Sequence, residues 1–210
     1  MFRQSLMLSA VIVLVTSPTL AAESEVYDPS RYARAVTECD RLAAHTEDPY
    51  KVSPGVSESA VNLPAAISAC LKDVEADPRN PRLLYQLGRA QAYAGQIEAS
   101  LPNLEKSVDA HYPQAQFVLG YLLLDGRLKA PVDRCRAMEL FRKSAAQARM
   151  ASQIGLPAWS LAGRFENCAN APTTDELLDL LKAARAQKPK FYPELLIEDL
   201  ERQLRVRMSR

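Results

Sequence analysis

The sequence predicts an all-α fold of antiparallel helix hairpins, and three observations carry that prediction. Apolar residues recur at three- and four-residue steps through most of the chain, the spacing of one helix face. No useful length alternates apolar and polar residues as a half-buried strand does. Two Leu-Gly pairs, Leu87-Gly88 and Leu119-Gly120, stand 32 residues apart, a period typical of helical-hairpin repeats.

Residues 1–22 read as an export signal. Arg3 supplies the charged start, Leu6 to Val15 the apolar run, and Thr19-Leu20-Ala21-Ala22 the small residues for cleavage after Ala21 or Ala22. The run is shorter than the roughly 20 residues a membrane span needs. Arg3 is the only charge in this segment, so its removal leaves 25 basic and 25 acidic residues. That balance argues against a nucleic-acid binder, which needs a basic footprint, and against capture by an acidic membrane surface. A periplasmic or secreted protein without membrane insertion is expected.

Residues 23–78 are expected to form an irregular first hairpin. Its helices are predicted at Tyr32–Ala44 and Pro64–Glu75, joined by a loop from about His45 to Leu63 that is rich in proline. A connection of this length is unusual in a compact domain. Two readings of it stand: a binding loop, or a cover packed over the first hairpin.

Residues 79–190 are expected to hold the repeats. Asp77-Pro78-Arg79-Asn80-Pro81 opens the first, Leu84, Leu87 and Gly88 follow, and Gly95 ends its first helix. Ile97, Leu101, Leu104 and Val108 form the inward stripe of its second helix. Pro102 conflicts with that helix, since an internal proline costs about 3 kcal/mol, so a start near Ser100 or a kink is expected. Tyr112-Pro113 opens the central hairpin, where Asp125-Gly126 is the stop and Asp133 the next N-cap. A third hairpin is predicted with a first helix at Pro157–Phe165 and Gly163 in the place of Gly120; Gly155 is a rival anchor. Trp159 then reads as core. Thr174 is the expected cap of a helix running to about Ala186.

Residues 191–210 read as a capping helix, from Pro193 to about Met208, with an apolar stripe of Leu195, Leu196, Leu200 and Leu204. Its acids precede its arginines, as the helix dipole favours, and Glu198–Arg202 and Glu201–Arg205 have i,i+4 spacing.

Four cysteines in an exported chain predict two disulfides. Three pairings exist, and the hairpin geometry favours one. Cys39 and Cys70 lie on the two helices of the first hairpin. Cys135, at the start of one hairpin's second helix, falls near Cys168, just past the first helix of the next. There is no Cys-x-x-Cys, and His45 and His111 have no ligand spacing to each other or to a cysteine, so no metal or other cofactor is expected.

The stretch 114–147 resembles the Sel-one-like repeat, a relative of the tetratricopeptide repeat. Ala115, Leu119, Gly120, Gly126, Asp133, Arg136-Ala137, Leu140-Phe141 and Lys143-Ser144-Ala145 carry the pattern. Leu128 and Ala148 stand where that family commonly has glycine. The resemblance implies a right-handed solenoid of hairpins whose first helices line a concave side. Tyr85, Arg89 and Tyr93, at i, i+4 and i+8, would then share a stripe, with Phe117 and Tyr121 as counterparts one repeat on. Aromatics with an arginine are the residue types that anchor interfaces. The alternative reading is that Tyr85 and Phe117 pack between hairpins.

No catalytic constellation is visible: there is no phosphate loop, no Gly-x-Ser-x-Gly and no His-Glu-x-x-His. The expectation is a monomeric, non-enzymatic binding module for a protein or peptide partner in the cell envelope. An envelope enzyme or peptidoglycan- or β-lactam-binding protein, and a secreted effector, are the alternatives.

Overall fold

The computed structural model describes residues 26–208, which form nine α-helices and three short 3-10 turns with no strand among them. The predicted export signal lies outside the described residues. The helices are α1 (Glu38–Ala43), α2 (Leu63–Ala76), α3 (Pro81–Tyr93), α4 (Ile97–Asp109), α5 (Pro113–Asp125), α6 (Arg134–Ala146), α7 (Met150–Leu161), α8 (Thr174–Ala186) and α9 (Phe191–Met208). Each packs mainly on its neighbours in the chain, and α9 lies against both α7 and α8. Among the described residues, no helix is long and apolar enough to cross a membrane.

Helix starts follow from local chemistry. Asp133 accepts the Arg136 N–H at 2.9 Å, as an N-cap should. Thr173, one residue earlier than expected, caps α8 by accepting from Glu176 N–H. Pro81 and Pro113 open α3 and α5, where a missing N–H costs nothing. Gly126 closes α5 in the left-handed region, φ 66°.

Successive helix pairs repeat in register. Leu104, Phe141 and Leu181 are each the eighth residue of α4, α6 and α8, and all three are fully buried. A Cβ on Gly88 would come within 2.9 Å of the Leu104 side chain, and one on Gly120 within 2.9 Å of Phe141. Those glycines therefore mark close helix approach. Three residues further along α4 and α6, the Ser107 and Ser144 hydroxyls donate to the carbonyls of Pro81 and Pro113, each at 2.7 Å. The connections after α4, α6 and α8 each turn through a non-glycine left-handed residue: His111, Ala148 and Lys188.

The structure corrects four predicted elements. The helix expected at Tyr32–Ala44 shrinks to six residues. Thr37 and Asp40 form a capping box that starts α1 there, and the Ala33 carbonyl is taken by the side chains of Asn80 and Arg82. The helix expected at Pro157–Phe165 begins instead at Met150 and ends at Leu161, with Pro157 inside it. Counted from the N-cap, Leu156-Pro157 takes the Leu-Gly place, and Gly163 is a stop with φ 73°. Helix α4 starts at Ile97, before Ser100, and carries Pro102 within it. In α9 the buried stripe is Ile197, Leu200 and Leu204, leaving Leu195 and Leu196 outside. The expected i,i+4 pairs give way as well: Arg202 pairs with Asp199, and Glu201 with Arg185 of α8.

Both expected cysteine pairs are at bonding distance, Cys39–Cys70 with S–S 1.97 Å and Cys135–Cys168 with S–S 2.08 Å. The first ties α1 to α2. The second ties the first turn of α6 to the turn after α7. Each closes a loop of about 30 residues, a contribution of roughly 3–4 kcal/mol in the chain-entropy model.

Candidate binding face

Helix periodicity places Tyr85, Arg89 and Tyr93 of α3 on one stripe and Phe117 and Tyr121 of α5 on the next. Polar bonds join the two. Gln114 of α5 donates to the Tyr85 hydroxyl at 3.2 Å, and the Arg149 guanidinium donates to the Gln114 side-chain carbonyl. The same guanidinium stands 5.1 Å over the Phe117 ring.

The α3 half is covered by the chain's own N-terminal segment. Tyr85 is fully buried beside Tyr112, ring centroids 5.8 Å apart. Tyr27 packs edge-on against Tyr112 at 4.9 Å and against Tyr50 at 4.8 Å, and its N–H donates to the Gln147 side chain. Arg89 is buried too, donating to the Ala43 and Val56 carbonyls at 2.8 and 2.9 Å. It also lies 5.0 Å over the Tyr93 ring, which is half-buried. The 45–63 loop thus runs over α3 with its backbone held by side chains.

A buried polar group anchors this cover. Asp48 is fully buried and accepts from the Tyr112 hydroxyl at 2.7 Å and the Tyr50 N–H at 2.9 Å. Burial raises its pKa, opposed by those two bonds and by the nearby Arg149 and Lys51 charges. Burial is also the main cause that pulls His45 down to about 4, helped by Arg89, Arg149 and Lys51. Arg149 is itself lowered by burial. Deeper in, Arg82 and Asp40 form a fully buried ion pair, and Gln86 donates to the same carboxylate. Removing one member of such a pair strands a buried charge, at a cost of about 3–5 kcal/mol.

The α5–α7 half is open in part. Phe117, Tyr121 and Trp159 are each half-buried. Tyr121 neighbours Phe117 at 6.2 Å and Trp159 at 6.3 Å. Trp159 also packs on the buried Phe141, centroids 4.2 Å apart, and lies over Gly155, where an added Cβ would come within 2.6 Å of its ring. Arg127 stands 4.2 Å over the Tyr121 ring. This is a row of aromatic surface with the exposed Arg127 guanidinium against Tyr121 and the buried Arg149 guanidinium against Phe117.

The structure therefore brings Phe117 and Tyr121 together, keeps Tyr93 at the margin, and puts Tyr85 and Arg89 under the N-terminal segment. The sequence reading missed Arg127, Arg149 and the partial exposure of Trp159. With α7 expected seven residues late, Arg149 read as linker, although it precedes α7 as Asn80 and Tyr112 precede α3 and α5. A cleft of about 770 Å³ opens elsewhere, lined by Asp28, Arg31, Asp77, Arg79 and Lys106 among others; none of the five predicted face residues reaches it. Cys39, Cys70, Cys135 and Cys168 are all engaged in the two disulfides. Among the described residues, no group of three or more His, Cys, Asp or Glu is placed to hold a metal ion.

No family model, curated protein or solved structure matches the chain.

Proposed function

We propose that the protein is an exported helical-repeat binding module that holds a protein or peptide partner in the cell envelope on the open α5–α7 half of this face. The observation that carries the reading is the row Phe117, Tyr121 and Trp159, half-buried, with the exposed Arg127 stacked on Tyr121 and the buried Arg149 backing Phe117. Rigid aromatics and arginines present large contact area at small entropic cost, which is the chemistry of interface anchors. A solenoid of the tetratricopeptide or Sel-one-like kind is the proposed architecture. The registered Leu104, Phe141 and Leu181 support it. So do the left-handed backbones at Leu128 and Ala148, the two places where that family commonly has glycine. Two disulfides support an oxidising compartment outside the cytoplasm.

The test is cross-linking capture from the envelope fraction with the mature protein, read by mass spectrometry. Tyr121→Ala combined with Arg127→Glu is the right variant, because both residues lie on the open half. Arg89→Glu is not, since Arg89 holds the covering loop. The expected result is one dominant protein partner, lost in the double variant while the melting temperature is kept. Retention of peptidoglycan fragments in place of a protein overturns the reading.

A further inference from the structure

We propose that α9 is a self-association surface, and that two copies of this chain pair through their α9 helices, antiparallel about a twofold axis. The inference is independent of the binding face above.

Helix α9 buries Ile197, Leu200 and Leu204 against the rest of the fold. Its first two turns leave Phe191 at 69 %, Tyr192 at 80 %, Leu195 at 46 % and Leu196 at 45 % exposure. Single exposed apolar side chains are ordinary, but four large ones within six residues make a patch. A helix that simply ended a repeat array would turn a polar face outward. This one mixes the two in its second half, where Val206 and Met208 stand exposed beside Glu198, Arg202 and Arg205.

A shallow groove of about 490 Å³ is lined by Glu198, Glu201, Arg202, Arg205 and Val206. A second, of about 650 Å³, includes Leu161, Glu166, Arg202 and Val206. The helix thus carries protruding apolar side chains at its start and grooves near its end.

The charges follow the same order. Glu194 and Glu201 bond Arg185 of α8 at 2.7 and 2.9 Å, so both are engaged within the fold. Glu198 makes no ion pair among the described residues, and Arg202 pairs only with Asp199 on its own helix, an exposed contact worth little. In an antiparallel pair, each copy's Glu198 meets the other's Arg202. Leu195 then lies along the aliphatic stem of the other's Arg205. A parallel pair would set acid against acid and base against base. Self-complementary pairing of one patch with itself is the isologous arrangement of most dimers. A helix about 27 Å long offers a small interface, so association at roughly micromolar concentration is expected. The proposal replaces the expectation of a monomer.

Sedimentation of the mature chain across a concentration series tests it. The expected result is a monomer–dimer equilibrium that Leu195→Lys, which sets an ammonium against the other copy's Arg205, abolishes with the melting temperature unchanged. Glu198→Arg alone and Arg202→Glu alone should each weaken dimerisation at least tenfold. Mixing the two single variants should restore it, because the mixed pair has one reversed and one native contact, both favourable. A wild-type chain that stays monomeric throughout overturns the proposal. So does a dimer indifferent to Leu195→Lys, or one that the mixed variants fail to restore.

Discussion

His45 sits where the loop leaves α1, with its Nδ1 accepting the Glu47 N–H at 3.0 Å. Burial and three nearby cations hold its pKa at about 4, below the ordinary 6.5. An unfolded chain takes up this proton as pH falls below 6.5, whereas the folded chain resists until about 4. The stability that the neutral ring contributes is therefore complete above 6.5 and lost between 6.5 and 4. Allowing for the partial exposure of the ring, the loss is of order 1–2 kcal/mol. Asp48 works in the opposite sense, because its raised pKa makes protonation favour the fold. The His45→Gln variant separates the two. Urea titrations from pH 7 to pH 4 should show wild type losing more stability than the variant by that amount. Equal losses would mean that the ring titrates normally.

At the scale of elements, the periodic helices were the legible ones. Apolar spacing located α2, α3, α5, α6 and α8 to within a residue or two, because burial of one face is what spaces those residues. Residues 32–37 failed because a helix-compatible sequence is held extended by distant side chains; Arg82 and Asn80 take the Ala33 carbonyl, and spacing carries no trace of that. Helix α7 failed because Pro157 reads as a start and is in fact internal. The face was half legible for the same reason. The i, i+4, i+8 spacing put Tyr85, Arg89 and Tyr93 on one stripe, but a segment about 30 to 60 residues earlier covers it. The turns carry a testable energy. Leu128 and Ala148 hold left-handed backbone, φ 54° and 61°, where a side chain costs about 1 kcal/mol. Ala148→Gly and Leu128→Gly should each stabilise the fold by about 0.5 kcal/mol, the gain being partly offset by glycine's freedom in the unfolded chain. Gly95 provides the mirror experiment. It has φ 75° and nothing within 4 Å of an added Cβ. Gly95→Ala should thus cost about 0.5 kcal/mol, the conformational penalty less the same unfolded-chain offset. Urea midpoints at constant slope decide all three, and a destabilised Ala148→Gly would refute the turn argument.

The described residues form a chain of three apolar clusters. One joins α1, α2 and α3; a second gathers Tyr27, Tyr85 and Tyr112 with Leu104 and Leu122; the third runs from α5 to α9. The second and third share only a few packing side chains, Leu101 and Val108 among them, so a local defect should be felt mainly next to its site, as in arrays with nearest-neighbour coupling. Tyr27 is the clearest place to test this. Its ring is stacked on Tyr32, meets Tyr50 and Tyr112 edge-on, and closes the cover over α3. Removing an aromatic from such a site costs about 3–5 kcal/mol when the whole fold feels it. Here Tyr27→Ala should instead loosen residues 26–32 and the 45–56 loop over α3, while α1 stays held by Cys39–Cys70 and by the Arg82–Asp40 pair and the far end of the molecule stays closed. Native-state hydrogen exchange read by mass spectrometry should show faster exchange in those segments and in α3, with α8 and α9 unchanged. Faster exchange spread evenly from α1 to α9 would mean that the clusters unfold as one. The chain would then behave as a single cooperative core, and the N-terminal segment would be as integral to it as Phe141.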